Sequence, residues 1–158
     1  MRITTHSAAE TKHFAKKLAI KVLKEKPGKT AAVLAFSGDL GSGKTTFVQG
    51  FFKGLGIKSR AVSPTFIIFR RHRIPAPKSY KLQVSRYKFI YHMDAYRIKD
   101  TKALRHLGFK EILADPQNIL LVEWAENIKK ALPKKSLWIK FAHKKKENER
   151  TLISSARA

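Results

Sequence analysis

The residues with the most chemical potential lie together in one short stretch, Gly38-Asp39-Leu40-Gly41-Ser42-Gly43-Lys44-Thr45. It matches G-x-x-x-x-G-K-[ST] in full. Glycines there let successive backbone N–H groups turn inward as an anion nest, which side chains would obstruct. A helix starting near Lys44 would add its positive dipole end at the same point. The spacing predicts that Lys44 reaches the β- and γ-phosphates of a nucleotide and that the Thr45 hydroxyl holds Mg²⁺. Asp39, Leu40, Gly41, Ser42, Gly43 and Thr46 complete the expected phosphate-binding set.

Such a loop needs an acid for the metal or its water, at the C-terminal end of a neighbouring buried strand. Two runs have that shape. Asn118 to Glu123 (NILLVE) ends in Glu123, and Lys88 to Asp94 (KFIYHMD) ends in Asp94. A strand-end acid also serves as a helix cap, so their weight comes from sharing a chain with the glycine loop. Which of the two orients an attacking water stays open. The nearest string to a guanine-reading Thr-Lys-x-Asp is Thr101-Lys102-Ala103-Leu104, which ends in leucine. ATP is therefore expected rather than GTP.

The elements that must position these groups can be read from periodicity. Ser7 followed by Glu10 reads as a capping box, and Phe14, Leu18 and Val22 then mark one face of a first helix. The basic, amphipathic N-terminus contains Glu10 and lacks a cleavage-like ending, so from Met1 onward it is read as an integral first helix rather than as a presequence. Pro27-Gly28 breaks the chain, and Ala31 to Phe36 is a continuous apolar run of the buried parallel type. A helix from about Lys44 to Leu55 follows, with Phe47, Val48, Phe51, Phe52 and Leu55 on its core side and Gly56 as its cap. Further strands are expected at Phe66 to Phe69, Lys88 to Asp94, Ile119 to Val122, Leu137 to Ala142 and Thr151 to Ser154. Helical turns are expected over Leu104 to Leu113, around Gly108, and over Ile128 to Leu132. Between them, Arg70 to Lys88 carries seven cations and no acid and reads as a hairpin or loop insertion. The expected architecture is α/β: one P-loop NTPase domain over residues 1–158, with a central, largely parallel sheet flanked by helices and antiparallel strands at the edge.

Composition bounds the rest. At 158 residues and 43% hydrophobic, the chain can bury one proper core. It contains no cysteine, which excludes disulfides and thiolate chemistry. No apolar run approaches the ~20 residues of a membrane span, so a cytoplasmic protein without a membrane partner is expected. The net charge of +23 favours polyanionic partners.

In sequence order, GDLGSGKTTF at 38–47, SPTF at 63–66, HMDAYR at 92–97, LGF at 107–109 with Glu111, and VEWAE at 122–126 resemble the TsaE family. These are the bacterial P-loop ATPases of tRNA threonylcarbamoyladenosine biosynthesis. The resemblance runs from the first helix to about Leu132. It implies that Ser63 and Thr65 form a switch-like loop responding to the γ-phosphate and Mg²⁺. It implies that Asp94 lies near the metal and the attacking water, and that Glu123 is the Walker B metal partner. Trp124 would be an aromatic beside the nucleotide, with Tyr96 and Arg97 adjacent, and Ser7 to Thr11 would lie near the base. The implied function is an Mg²⁺-dependent ATPase required for modification of adenosine 37 in tRNAs. It would act on a transferase subunit and its paralogue rather than on the tRNA itself, with basic segments offering a direct tRNA contact. The chain departs from the family in Ala95, in Arg70-Arg71 with the long basic segment, and in Thr101-Lys102-Ala103 before Leu107. Two rivals fit parts of the same sequence. A small-molecule kinase would use 70–88 as a lid. An RNA-binding module with a nucleotide switch would use those cations and Lys144-Lys145-Lys146 as its footprint.

Overall fold

The structure is a computed structural model that describes residues 1–58, 69–76, 86–143 and 149–155. The SPTF string, residues 66–68 of the expected strand, residues 77–85 of the basic segment and Lys144 to Lys146 lie outside these. The strands are β1 (Arg2–Thr5), β2 (Ala32–Ser37), β3 (Phe69–Arg73), β4 (Phe89–Asp94), β5 (Asn118–Glu123), β6 (Leu137–His143) and β7 (Arg150–Ser154). The helices are α1 (Ala8–Lys24), α2 (Lys44–Gly54) and the short α3 (Phe109–Ala114). Two 3₁₀ segments, Thr101–Leu107 and Ala125–Ala131, together with α3 after Gly108, supply the helical turns expected over 104–113 and 128–132.

The seven strands among the described residues form one sheet in the order β1-β7-β6-β2-β5-β4-β3. The central four, β6, β2, β5 and β4, are mutually parallel, while β3 pairs antiparallel with β4, and β7 and β1 extend the other edge antiparallel. This is the expected α/β architecture. The apolar runs of β2 and β5 follow from burial on both faces. Leu34, Phe36, Ile119 and Leu121 pack with α1 and α2. Val33, Ala35, Leu120 and Val122 pack on the opposite side with Leu104, Phe109 and Ile128.

Helix α1 starts as its capping residues dictate. The Ser7 hydroxyl accepts from the Glu10 N–H at 3.1 Å, and the Glu10 carboxylate accepts from the His6 N–H at 2.8 Å. Its core face includes the expected Val22, with Phe14 and Leu18 at its margin, but is centred on smaller residues. Thr11, Ala15, Ala19 and Val22 are buried, whereas Phe14 and Leu18 are only partly so. The cause lies on α2, where Gly50 and Gly54 stand one turn apart. A Cβ on Gly50 would meet the Lys12 carbonyl and Cα, and one on Gly54 would lie 2.7 Å from Ala19 Cβ. Backbones this close admit only small residues between them, so α1 turns its alanines inward.

Helix α2 buries Phe47, Val48, Phe51 and Phe52 as expected. It closes with the Gly56 N–H on the Lys53 carbonyl and the Ile57 N–H on the Phe52 carbonyl, a Schellman arrangement. Strand β1 is a difference from the sequence reading, which assigned the N-terminus wholly to a helix. Its pairing, Arg2 with Ile153 through Thr5 with Arg150, joins opposite ends of the chain. No local pattern in four residues announces such a partner.

Candidate nucleotide site

Strand β2 runs directly into the glycine loop, and the loop into α2. Gly38 has φ +132, and a Cβ there would collide with the Phe141 carbonyl on β6. Both backbone angle and space therefore demand glycine at the point where the loop leaves the sheet. Gly43, at φ 99, hands the chain to α2 with no side-chain cap. An anion at this helix start would find uncapped N–H groups. The far wall of the loop is held by β6, where His143 Nε2 lies 3.1 Å from the Leu40 carbonyl.

Lys44 is buried, with 5% of its surface exposed. Its ammonium donates to the Gly38 carbonyl at 2.6 Å and the Asp39 carbonyl at 2.9 Å. Nζ also lies 3.9 Å from the centroid of the Trp124 ring, a cation–π contact. Burial pulls the Lys44 pKa down from the usual lysine value, and the carboxylates of Glu123, Glu126, Asp94 and Asp39 oppose that shift. An ammonium in this position can exchange its two carbonyl contacts for a charged oxygen.

The sheet register delivers the acids. Glu123 is level with Phe36 on β2 and with Asp94 on β4, so both carboxylates emerge at the C-terminal edge beside the loop. The Thr45 hydroxyl donates to Glu123 Oε2 at 2.9 Å. His92 Nε2 lies 2.8 Å from Glu123 Oε1, with both side chains buried. Asp94 accepts from the Tyr96 N–H at 2.9 Å, which holds its carboxylate at the strand end.

Immediately after Glu123, Trp124 takes φ 56, the one positive φ of a non-glycine residue among those described. This turn brings its indole over Lys44 and 4.9 Å from the Tyr96 ring. Asn127 braces the same corner from the following 3₁₀ segment by donating to the Ala95 carbonyl at 3.0 Å. The result is an open cleft of about 360 Å³ lined by Leu40 to Thr46, Asp94, Tyr96, Glu123 and Trp124.

The structure thus brings together Leu40, Gly41, Ser42, Gly43, Lys44, Thr45, Thr46, Asp94, Glu123 and Trp124. Asp39 contributes its carbonyl to Lys44, and its side chain stays exposed. Ser63 and Thr65 lie outside the described residues. Ser7 caps α1 and Thr11 hydrogen-bonds Thr5 at 2.8 Å; neither lines the cleft. Arg97 is exposed and also outside the lining. Sequence reasoning quoted His92 without giving it a role. Its spacing from Asp94, two residues along a strand, was the available signal, because such residues share a face.

A buried strand, a glycine-rich anion loop, a helix N-terminus and flanking strand-end carboxylates on a mainly parallel sheet define a P-loop nucleotide-binding protein. The family model of the threonylcarbamoyl adenosine biosynthesis protein TsaE matches residues 5–152. The chain is 39% identical over 138 residues to the tRNA threonylcarbamoyladenosine biosynthesis protein TsaE of Bacillus subtilis, covering 85% of this chain and 73% of that one. It is 37% identical over 131 residues to the Rickettsia prowazekii protein of the same name, covering 82% and 77%. The crystal structure of Bacillus subtilis YdiB superposes with a TM-score of 0.72 at 31% identity, covering 100% of this chain and 86% of that chain. This chain belongs to the TsaE family.

Proposed function

We propose that the chain is an Mg²⁺-dependent ATPase that serves threonylcarbamoyladenosine formation on tRNA by acting on the partner proteins that carry out the transfer. The observation that supports this reading most is the Thr45–Glu123 hydrogen bond at 2.9 Å, in a cleft also lined by Lys44 and Asp94. A hydroxyl that donates its proton to a carboxylate keeps its oxygen lone pairs for a cation. Thr45, Glu123 and Asp94 are hard oxygen donors of the kind Mg²⁺ prefers. Among the described residues no cluster of three His, Cys, Asp or Glu side chains could hold a metal by itself. A cation here would share its shell with phosphate oxygens and water, as nucleotide-bound magnesium does. When bound, it would neutralise charge on the β- and γ-phosphates.

The protein's own part is then positioning and electrostatics. The loop amides and Lys44 bind the phosphate tail, Thr45 and Glu123 hold the cation's place, and Asp94 or Glu123 orients the attacking water. Asp94→Ala and Glu123→Ala are each expected to abolish tRNA modification in a reconstitution with the transferase subunit, its paralogue, tRNA and ATP. Mass spectrometry of the nucleosides reads the result, and circular dichroism checks the fold. Normal modification by either variant would remove that residue from the catalytic set.

A direct tRNA contact is supported by charge placement. Lys16, Lys17, Lys21 and Lys24 are exposed along α1, whose single acid, Glu10, sits in its first turn. Arg70, Arg71 and Arg73 are exposed on edge strand β3. The Lys17→Glu/Lys21→Glu variant should weaken binding of bare tRNA and lower the salt slope by about 1.4 to 1.8, the loss of two phosphate contacts. An unchanged slope in filter binding would mean that the lysine face of α1 makes no tRNA contact. Binding that survives Lys44→Ala would separate this surface from the nucleotide site.

A further inference from the structure

We propose that His92 is a positioning residue for Glu123, holding the carboxylate that couples magnesium to the nucleotide. The inference rests on the magnesium reading above and assigns work to a residue outside the phosphate loop and outside the cleft lining.

The geometry is specific. His92 lies on β4 and Glu123 on β5, in adjacent parallel strands. Nε2 approaches Glu123 Oε1 at 2.8 Å, and the two side chains are 1% and 3% exposed. A carboxylate only accepts hydrogen bonds, so Nε2 carries the hydrogen and donates it. The other oxygen, Oε2, takes the Thr45 hydroxyl. The same hydroxyl also lies 3.3 Å from Oε1, so Thr45 and His92 approach the carboxylate from two directions and together fix its rotation about its last bond.

The imidazole is itself held. Its ring meets the edge of Phe52 at 6.0 Å, and Phe52 in turn meets His72 at 4.9 Å. Phe52 belongs to α2, the helix that carries Lys44 and Thr45 at its start. The helix that presents the threonine therefore also packs against the histidine that aims the carboxylate. Residues that orient metal-holding groups in this way cost about 10- to 100-fold in metal affinity when removed.

The test measures coupling rather than turnover. The affinity of the full-length protein for a fluorescent ADP analogue is titrated with and without Mg²⁺, for wild type, His92→Gln and His92→Leu. The expected result is that His92→Leu loses about tenfold or more of the magnesium enhancement with its metal-free affinity unchanged. His92→Gln, which keeps an N–H donor, should recover most of it. Enhancement retained in His92→Leu would overturn the proposal, since a space-filling residue would leave coupling intact. Wild type lacking any magnesium enhancement would instead overturn the metal reading, and this one with it. Should His92→Leu fail to fold, nitrogen-15 NMR of the wild-type imidazole decides. A hydrogen on Nε2 supports the proposal, and a bare Nε2 ends it.

Discussion

Lys44→Ala is expected to lower ATP turnover in the assembled system by about 100- to 1,000-fold, the usual effect of deleting one preorganised charge-stabilising donor. The size follows from where the ammonium sits. It is buried, held by two loop carbonyls and covered by Trp124, and among the described residues the cleft lining offers no second cation to substitute for it. The fold should survive, because the loop is anchored elsewhere, by Gly38 against β6 and by the aromatic face of α2. Unchanged circular dichroism together with lost turnover is the expected pair of measurements. Turnover above a tenth of wild type would show that the phosphate tail lies outside the loop.

The second large effect concerns stability. Gly50 sits inside an α-helix, where intrinsic propensity alone says that alanine should stabilise by about 1 kcal/mol. The structure reverses that sign. The new Cβ would fall on the backbone of Lys12, and a backbone cannot move aside as a flexible side chain can. Overpacking of this kind costs about 1–3 kcal/mol, so Gly50→Ala should be destabilised on balance and Gly50→Val more so. For a chain of this size that corresponds to a fall in Tm of roughly 2–4 °C per kcal/mol. Exposed Lys53→Ala on the same helix is the control and should shift Tm little. A rise in Tm for Gly50→Ala would mean that α1 and α2 stand further apart than described.

His72 illustrates why the region under α2 is tightly constrained. Burial first, and then the neighbouring His92 and Arg70, push its pKa below the usual histidine value. Its ring packs on Phe52, the residue that also contacts His92. Packing and site geometry thus share one side chain.

Much of this protein was written locally in the chain. The phosphate loop, its strand and its helix could be read from Gly38 to Leu55, because the anion nest is made by consecutive residues and depends on glycine at fixed offsets. Glu123 and Asp94 could be located at strand ends for the same reason: an apolar run closed by an acid is a one-dimensional signal. The α/β class followed from alternating runs, and the capping of α1 from Ser7 and Glu10. What only the tertiary structure decided are relations between distant segments. Strand β1 exists because β7 offers it a partner roughly 150 residues away. The inward face of α1 is set by two glycines on another helix. Trp124 reaches Lys44 because its backbone adopts a left-handed turn that composition does not reveal. His92 meets Glu123 because parallel β4 and β5 align in register, and a hydrogen bond of 2.8 Å depends on that alignment. Sequence specifies which groups are available and their local conformation; the angle and distance between them arise when the sheet is assembled and the core closes.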